Sequence, residues 1–162
     1  MIIRPAVEAD IPLLMSLAEE IWRACYPGII SPEQIEFMLG WMYSEKEIRR
    51  QLEAGVPWGI AEVDGHAIGY LSYQQEDDGR VKINKLYLRP AHQRRGHGQE
   101  MLAHICQQAR KCRAPAVWLQ VNKRNGPAVG AYQKAGFVII GEAVFEIGGD
   151  FVMDDYLVAK EL

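Results

Sequence analysis

The chain has 162 residues, 49% of them hydrophobic, which is enough to bury one substantial core, and it reads as a single domain over residues 1–162. A formal net charge of -3 argues against a nucleic-acid partner, no apolar run approaches the ~20 residues of a membrane span, and Met1–Glu8 lacks a signal peptide's apolar region, so a cytoplasmic protein without a membrane partner is expected. Cys25, Cys106 and Cys112 are odd in number and lack ligand spacing, which argues against structural disulfides and a metal site.

Ile2 and Ile3 open a short strand. Asp10 is placed to cap a helix carrying Ile11, Leu14, Leu17, Ala18, Ile21 and Trp22 at helical spacing, which ends at Cys25-Tyr26-Pro27-Gly28. Ser31-Pro32-Glu33-Gln34 combines a cap, a proline at the first helical position and a capping-box partner, ahead of Ile35, Met38, Leu39 and Met42. Ser44-Glu45-Lys46-Glu47 repeats the cap before a third short helix with Ile48 and Leu52.

Gly55 and Pro57 then open a β block. Trp58 to Val63, an Asp64-Gly65 turn and His66 to Tyr73 form a hairpin, because Asp-Gly suits a type I′ turn. Asp77-Asp78-Gly79 turns the chain into a central strand and completes an antiparallel meander. In that strand Val81 and Ile83 alternate, whereas Leu86 and Leu88 are shifted by one residue. A bulge near Asn84-Lys85 and a strand buried on both faces each account for the shift.

The strand stops at Pro90, and a basic loop with Gly96 and Gly98 runs straight into a helix carrying Met101, Leu102 and Ile105, extending to about Cys112. Strand, glycine loop and helix make an anion cradle, because glycines allow a tight turn and a helix start carries unpaired amides and about half a positive charge. A solvated basic turn is the plainer reading. The spacing matches neither a P-loop nor a dinucleotide fingerprint. Ala116 to Val121 is a strand parallel to the central one, since a helical crossover joins them. Asn125 caps a helix through Ala128, Val129, Tyr132 and Ala135, closed by Gly136. Phe137 to Ile147, a turn at Gly148-Gly149-Asp150, and Phe151 to Ala159 form a final hairpin.

Gln93-Arg94-Arg95-Gly96-His97-Gly98 is similar to the [QR]-x-x-G-x-[GA] pyrophosphate loop of the GNAT superfamily of N-acetyltransferases, and Val121 to Phe137 resembles that family's second hallmark. The run from Lys123 and the end pattern of Phe145, Gly148, Met153, Lys160 and Leu162 most resemble bacterial polyamine N-acetyltransferases. The resemblance implies an α/β (α+β) fold with a mixed seven-stranded sheet. It is mostly antiparallel, with a parallel pair at a splayed centre and helices on both faces. It also implies transfer of an acetyl group from acetyl-CoA to a primary amine such as a polyamine, without a metal. Protein or peptide N-termini are the alternative acceptors, and an acyl-CoA-binding regulator without turnover is the alternative of another class. Relatives are often dimers, so a homodimer is implied by analogy.

On this resemblance the amides of Arg95, Gly96, His97, Gly98 and Gln99, with Gln93, Arg94 and Arg95, hold the coenzyme's pyrophosphate. Leu86, Tyr87 and Leu88 pair with the extended pantetheine arm, while Asn125 and Ala128 contact the arm or pyrophosphate. N-capping alone would equally explain Asn125. Tyr132 matches the tyrosine that protonates the departing sulfur, a role for a phenol that stays protonated below ~10, although its ring could simply pack. Many relatives carry a catalytic glutamate where this chain has Asn84, and an amide takes no proton. A water chain, an amine of lowered pKa, or Glu33, Glu36 or Glu142 could substitute. Trp22, Tyr26 and Trp41 could stack on the acceptor or belong to the core.

Overall fold

The computed structural model describes residues 1–162. Its elements are β1 (Ile2–Pro5), α1 (Ile11–Cys25), α2 (Pro32–Met42), α3 (Glu45–Glu53), β2 (Trp58–Val63), β3 (His66–Gln75), β4 (Val81–Leu88), α4 (His97–Lys111), β5 (Ala116–Asn122), α5 (Gly126–Lys134), β6 (Val138–Gly148) and β7 (Phe151–Glu161). The strands form one sheet in the order β1-β2-β3-β4-β5-β7-β6. Only β4 and β5 run parallel, paired at Val81 with Val117 and Lys82 with Trp118. A helical crossover forces this, since α4 returns the chain to the same end of the sheet. No helix is long and apolar enough to cross a membrane.

The chain divides into two compact units, Met1–Tyr73 with Lys85–Met101, and Gln74–Asn84 with Leu102–Leu162. In the first, α1 buries Ile11, Leu14, Leu17, Ala18, Ile21 and Trp22, the one-sided stripe its spacing predicts. Each of the isoleucine and leucine side chains contributes on the order of 1.5–3 kcal/mol by leaving water. Ser31 and Ser44 cap α2 and α3 as expected, accepting from Gln34 N at 3.1 Å and Glu47 N at 3.2 Å. The β2–β3 hairpin turns at Asp64 and Gly65, both with positive φ (50° and 76°), as a type I′ turn requires.

Several expectations are corrected. Asp10 occupies the N-cap position of α1 but makes no side-chain cap bond: a 3₁₀ turn at Glu8–Asp10 comes first, and the carboxylate instead accepts from Val7 N at 2.8 Å and receives two bonds of 2.9 Å from Arg4. A cation from β1, outside the helix window, and the upstream Val7 amide take the carboxylate away from the amides of α1. In β4 it is Lys85 that continues the buried alternation of Val81 and Ile83, and the phase changes between Lys85 and Leu88 rather than at Asn84-Lys85. Lys85 can occupy an apolar position because its ammonium lies 4.8 Å from the Trp58 ring centre and 5.6 Å from that of Tyr43. Near the end of β4, a Cβ on Gly69 would meet Tyr87 O at 2.2 Å, so only glycine fits opposite that carbonyl.

In the second unit, β5 pairs antiparallel with β7 and β7 with β6. The last hairpin turns on two residues, Gly149 and Asp150, because Gly148 is still paired with Phe151. Phe137 precedes β6 and is buried.

Candidate functional site

The glycine loop grows out of the end of β4. After Leu88 the chain makes a 3₁₀ turn at Pro90–His92, then adopts left-handed conformations at Arg94 (φ 58°) and Gly96 (φ 88°) before entering α4. The α4 ladder begins with Glu100 N donating to Gly96 O, so the amides of His97 and Gly98 sit ahead of it. Gly96 has no side chain with which to cap them. The guanidinium groups of Arg94 and Arg95 are on exposed residues beside this helix start, and no carboxylate is bonded to either. Positive charge, helix dipole and outward amides converge there, the physical requirements of a diphosphate site.

Gln93, expected at the ligand, is held by its own unit: its amide donates to Leu88 O at 3.1 Å and to Cys25 Sγ at 3.4 Å. This anchors the loop to the strand end. His97 is partly buried, with Nδ1 3.9 Å from Glu100 Oε1 and no hydrogen bond to it. Leu86 and Tyr87 are half-buried and Leu88 is buried.

The three aromatic side chains expected at the acceptor have different surroundings in the first unit. Trp22 is core: it is 1% exposed, stacks on Tyr26 at 4.2 Å and donates its indole N–H to Tyr43 Oη at 3.2 Å. Tyr26 is 7% exposed, with its hydroxyl 3.1 Å from that of Tyr87 on β4. Trp41 is 50% exposed and leans towards Phe37. Tyr43 and Tyr70, missed as a pair by periodicity, share a 2.8 Å hydroxyl contact, and burial pushes both phenols well above their ordinary pKa.

In the second unit, Asn125 Oδ1 accepts from Ala128 N at 3.4 Å, so the asparagine is a cap. The α5 helix it starts carries Tyr132, 8% exposed, whose ring meets Phe137 edge-on at 5.9 Å. Asn84 Nδ2 donates to Gln74 Oε1 at 3.3 Å. Of the acids considered as substitutes, Glu36 is tied to Arg23 at 2.5 Å, which lowers its pKa, and Glu142 to Lys123 at 3.1 Å. Glu33 is exposed. A paired carboxylate is a weak proton acceptor.

Missed entirely was Asp155 on β7, which is 4% exposed and has an Oδ1 with no hydrogen-bond partner. Burial first, then the neighbouring Asp154, raises its pKa to about 6, against smaller opposing effects of Lys123 and Lys82. The sequence signal was weak: one aspartate facing inward in a strand of otherwise apolar inward positions.

Known proteins resemble this chain in sequence and in fold. An uncharacterized N-acetyltransferase of Mycobacterium bovis is 34% identical over 99 residues, 61% of this chain, and the match spans 63% of that relative's length. The spermidine N(1)-acetyltransferase of Thermoplasma acidophilum is 26% identical over 150 residues, covering 90% of both chains. The crystal structure of the PaiA N-acetyltransferase of the same organism, in complex with coenzyme A, superposes with a TM-score of 0.82 at 22% identity, over 99% of this chain and 98% of that one. This last likeness establishes the fold. Residues 15–137 match the acetyltransferase (GNAT) family, and by that match over well more than half its length the chain belongs to it.

Proposed function

We propose that this chain transfers the acetyl group of acetyl-CoA directly to a primary amine, with a small polyamine as acceptor. The observation that carries the reading is the Gln93–Gly98 loop, twice left-handed and flanked by two unpaired arginines, opening into α4 in a chain of this family. The alignment with a spermidine N-acetyltransferase along 90% of both chains supports the choice of acceptor.

The residues present fit coenzyme A. His97 and Gly98 offer amides to a diphosphate, and Arg94 and Arg95 offer charge-assisted bonds. At Gly98 a Cβ would meet only Leu88 Cδ1, at an ordinary 3.7 Å, so the protein's own packing does not demand glycine there. A ligand lying against the backbone would. The backbone of Leu86 to Leu88 is assigned to the pantetheine arm, as strand edges pair with peptide-like groups. Bound acetyl-CoA supplies an activated thioester. Tyr132 then gives its phenolic proton to the departing sulfur, and burial beside Phe137 fixes the ring for that task. Trp41, exposed on α2, and the Tyr26–Tyr87 hydroxyl pair are assigned to the acceptor.

Calorimetry with CoA, and thiol release from acetyl-CoA across a panel of amines and peptides, test the reading. Binding of CoA with release driven by spermidine or related amines is expected. Folded protein that gives no heat with CoA or acetyl-CoA would sink it. Release confined to peptides would move the acceptor to protein N-termini, and binding without release for any amine would make the chain a regulator.

A further inference from the structure

Resting on that reading, we infer that Asp155 receives the acceptor's amino group and takes its proton, filling the role that Asn84 cannot.

Register places the carboxylate. In β5–β7, Asn122 pairs with Asp155 and Gln120 with Leu157, and in β6–β7 Ala143 pairs with Asp155. Paired residues share a side of the sheet and alternate residues return to it. Trp118, Gln120, Asn122 and Asp155 therefore lie on one side. Parallel pairing of Lys82 with Trp118 puts Lys82, and by alternation Asn84, on that side too. Its ammonium confirms this, sitting 4.9 Å from the Trp118 ring centre.

The opposite side belongs to α5. Val117 pairs with Lys160, whose ammonium donates to Ala135 O at the end of α5 at 2.6 Å. The helix carrying the Tyr132 phenol and the strand carrying the Asp155 carboxylate thus serve opposite sides of the same sheet. Displacement at an acyl carbon uses such a division, with a base where the amine enters and an acid where sulfur leaves.

The carboxylate is built to receive a cation. Its neighbours along β7 on that side are Met153 and Leu157, and its partner on β6 is Ala143. No side chain or amide bonds Oδ1. A buried carboxylate oxygen left without a donor costs stability, and a structural role would have supplied one. Charged groups acting on it are Asp154 on β7, Lys123 after β5 and Lys82 on β4, and both lysines are otherwise engaged: Lys123 with Glu142 and Asp154, Lys82 with Trp118.

The step balances. The ammonium form of the acceptor gives one proton to the Asp155 carboxylate. The free amine forms the N–C bond as the C–S bond breaks, and sulfur takes the Tyr132 proton. The nitrogen's second proton restores the phenol through water, and Asp155 returns its proton to solvent. The net products are the amide, the thiol and one released proton. A carboxyl whose pKa is raised to about 6 is mostly ionised at neutral pH yet holds a proton better than an exposed aspartate.

The full chain supplies the test. By carbon-13 NMR of the wild-type protein, the Asp155 carboxyl should titrate near about 6, and spermidine added with CoA should lower that midpoint, because a bound cation favours the charged form. An ordinary aspartate midpoint that spermidine leaves unmoved overturns the assignment. The isosteric Asp155→Asn variant should lose about 100-fold or more in kcat/KM and the acidic limb of its pH profile, while binding CoA as tightly as wild type. It should also melt higher than wild type at pH 7. The raised folded-state pKa makes Asp155 stabilising below 3.8 and progressively less so as pH rises to about 6, a loss the amide does not suffer. Turnover at the wild-type level with the limb intact overturns the proposal, as does a lower melting temperature together with weakened CoA binding. Failure of wild-type protein to bind CoA would remove the acetyltransferase reading itself, whereas failure of the variant's predictions removes only Asp155.

Discussion

The starts of α4 and α5 present the same backbone problem and solve it differently. At α5, Asn125 turns its side chain onto Ala128 N and a proline occupies the first turn, so the protein satisfies the helix start itself. At α4 the preceding residue is Gly96 in a left-handed conformation, with Arg94 and Arg95 beside it. One start is closed and positions the helix that carries Tyr132, the proposed acid. The other offers its amides and adds positive charge, which is reasonable only if an anion completes it. Two asparagine or glycine signals of similar prominence thus separate into scaffold and proposed binding site.

Three variants sharpen that contrast. Tyr132→Phe, on the closed helix, should leave CoA affinity unchanged while kcat falls by about 100-fold or more, read by calorimetry beside steady-state kinetics. Equal losses in affinity and rate would mean that the ring positions the coenzyme instead. Replacing Arg94 and Arg95 together with alanine should weaken CoA binding by about 10- to 100-fold, with a penalty that shrinks as salt is raised, and should leave the melting temperature in place. Affinity that ignores both the substitution and the salt would break the assignment of the open start. The smallest effect is expected for Asn125→Ala, about 1 kcal/mol of stability by chemical denaturation, with CoA affinity retained. A large loss of affinity instead would restore Asn125 as a coenzyme contact.

Much of the fold was readable because its signals are local. The Ser31, Ser44 and Asn125 caps, the Asp64-Gly65 turn and the Gly96 loop each depend on residues within one or two turns of one another. Where a distant partner intervened, local reading went astray. Asp10 had the right neighbours for a cap, but Arg4 claimed it. Lys85 interrupted an apolar pattern that makes sense only with Trp58 and Tyr43 beside it. Trp22 had the spacing of a core residue and the chemistry of a substrate platform, and burial to 1% decides for the core.

The same division applies to the site. The order of elements, the proposed anion cradle and the phenol proposed as acid on α5 follow from short stretches of chain, since turn chemistry, capping and hydrophobic period act over a few residues. Asp155 could not be found that way. Its distinction is an unbonded oxygen at a buried position of a strand that is otherwise mostly half-buried or exposed, created when β5 and β6 pair on either side of β7 from segments that begin 39 and 17 residues earlier, at Ala116 against Asp155 and at Val138 against Asp155. Burial and strand register are properties of the assembled sheet, and only tertiary structure turns an ordinary aspartate into a desolvated one.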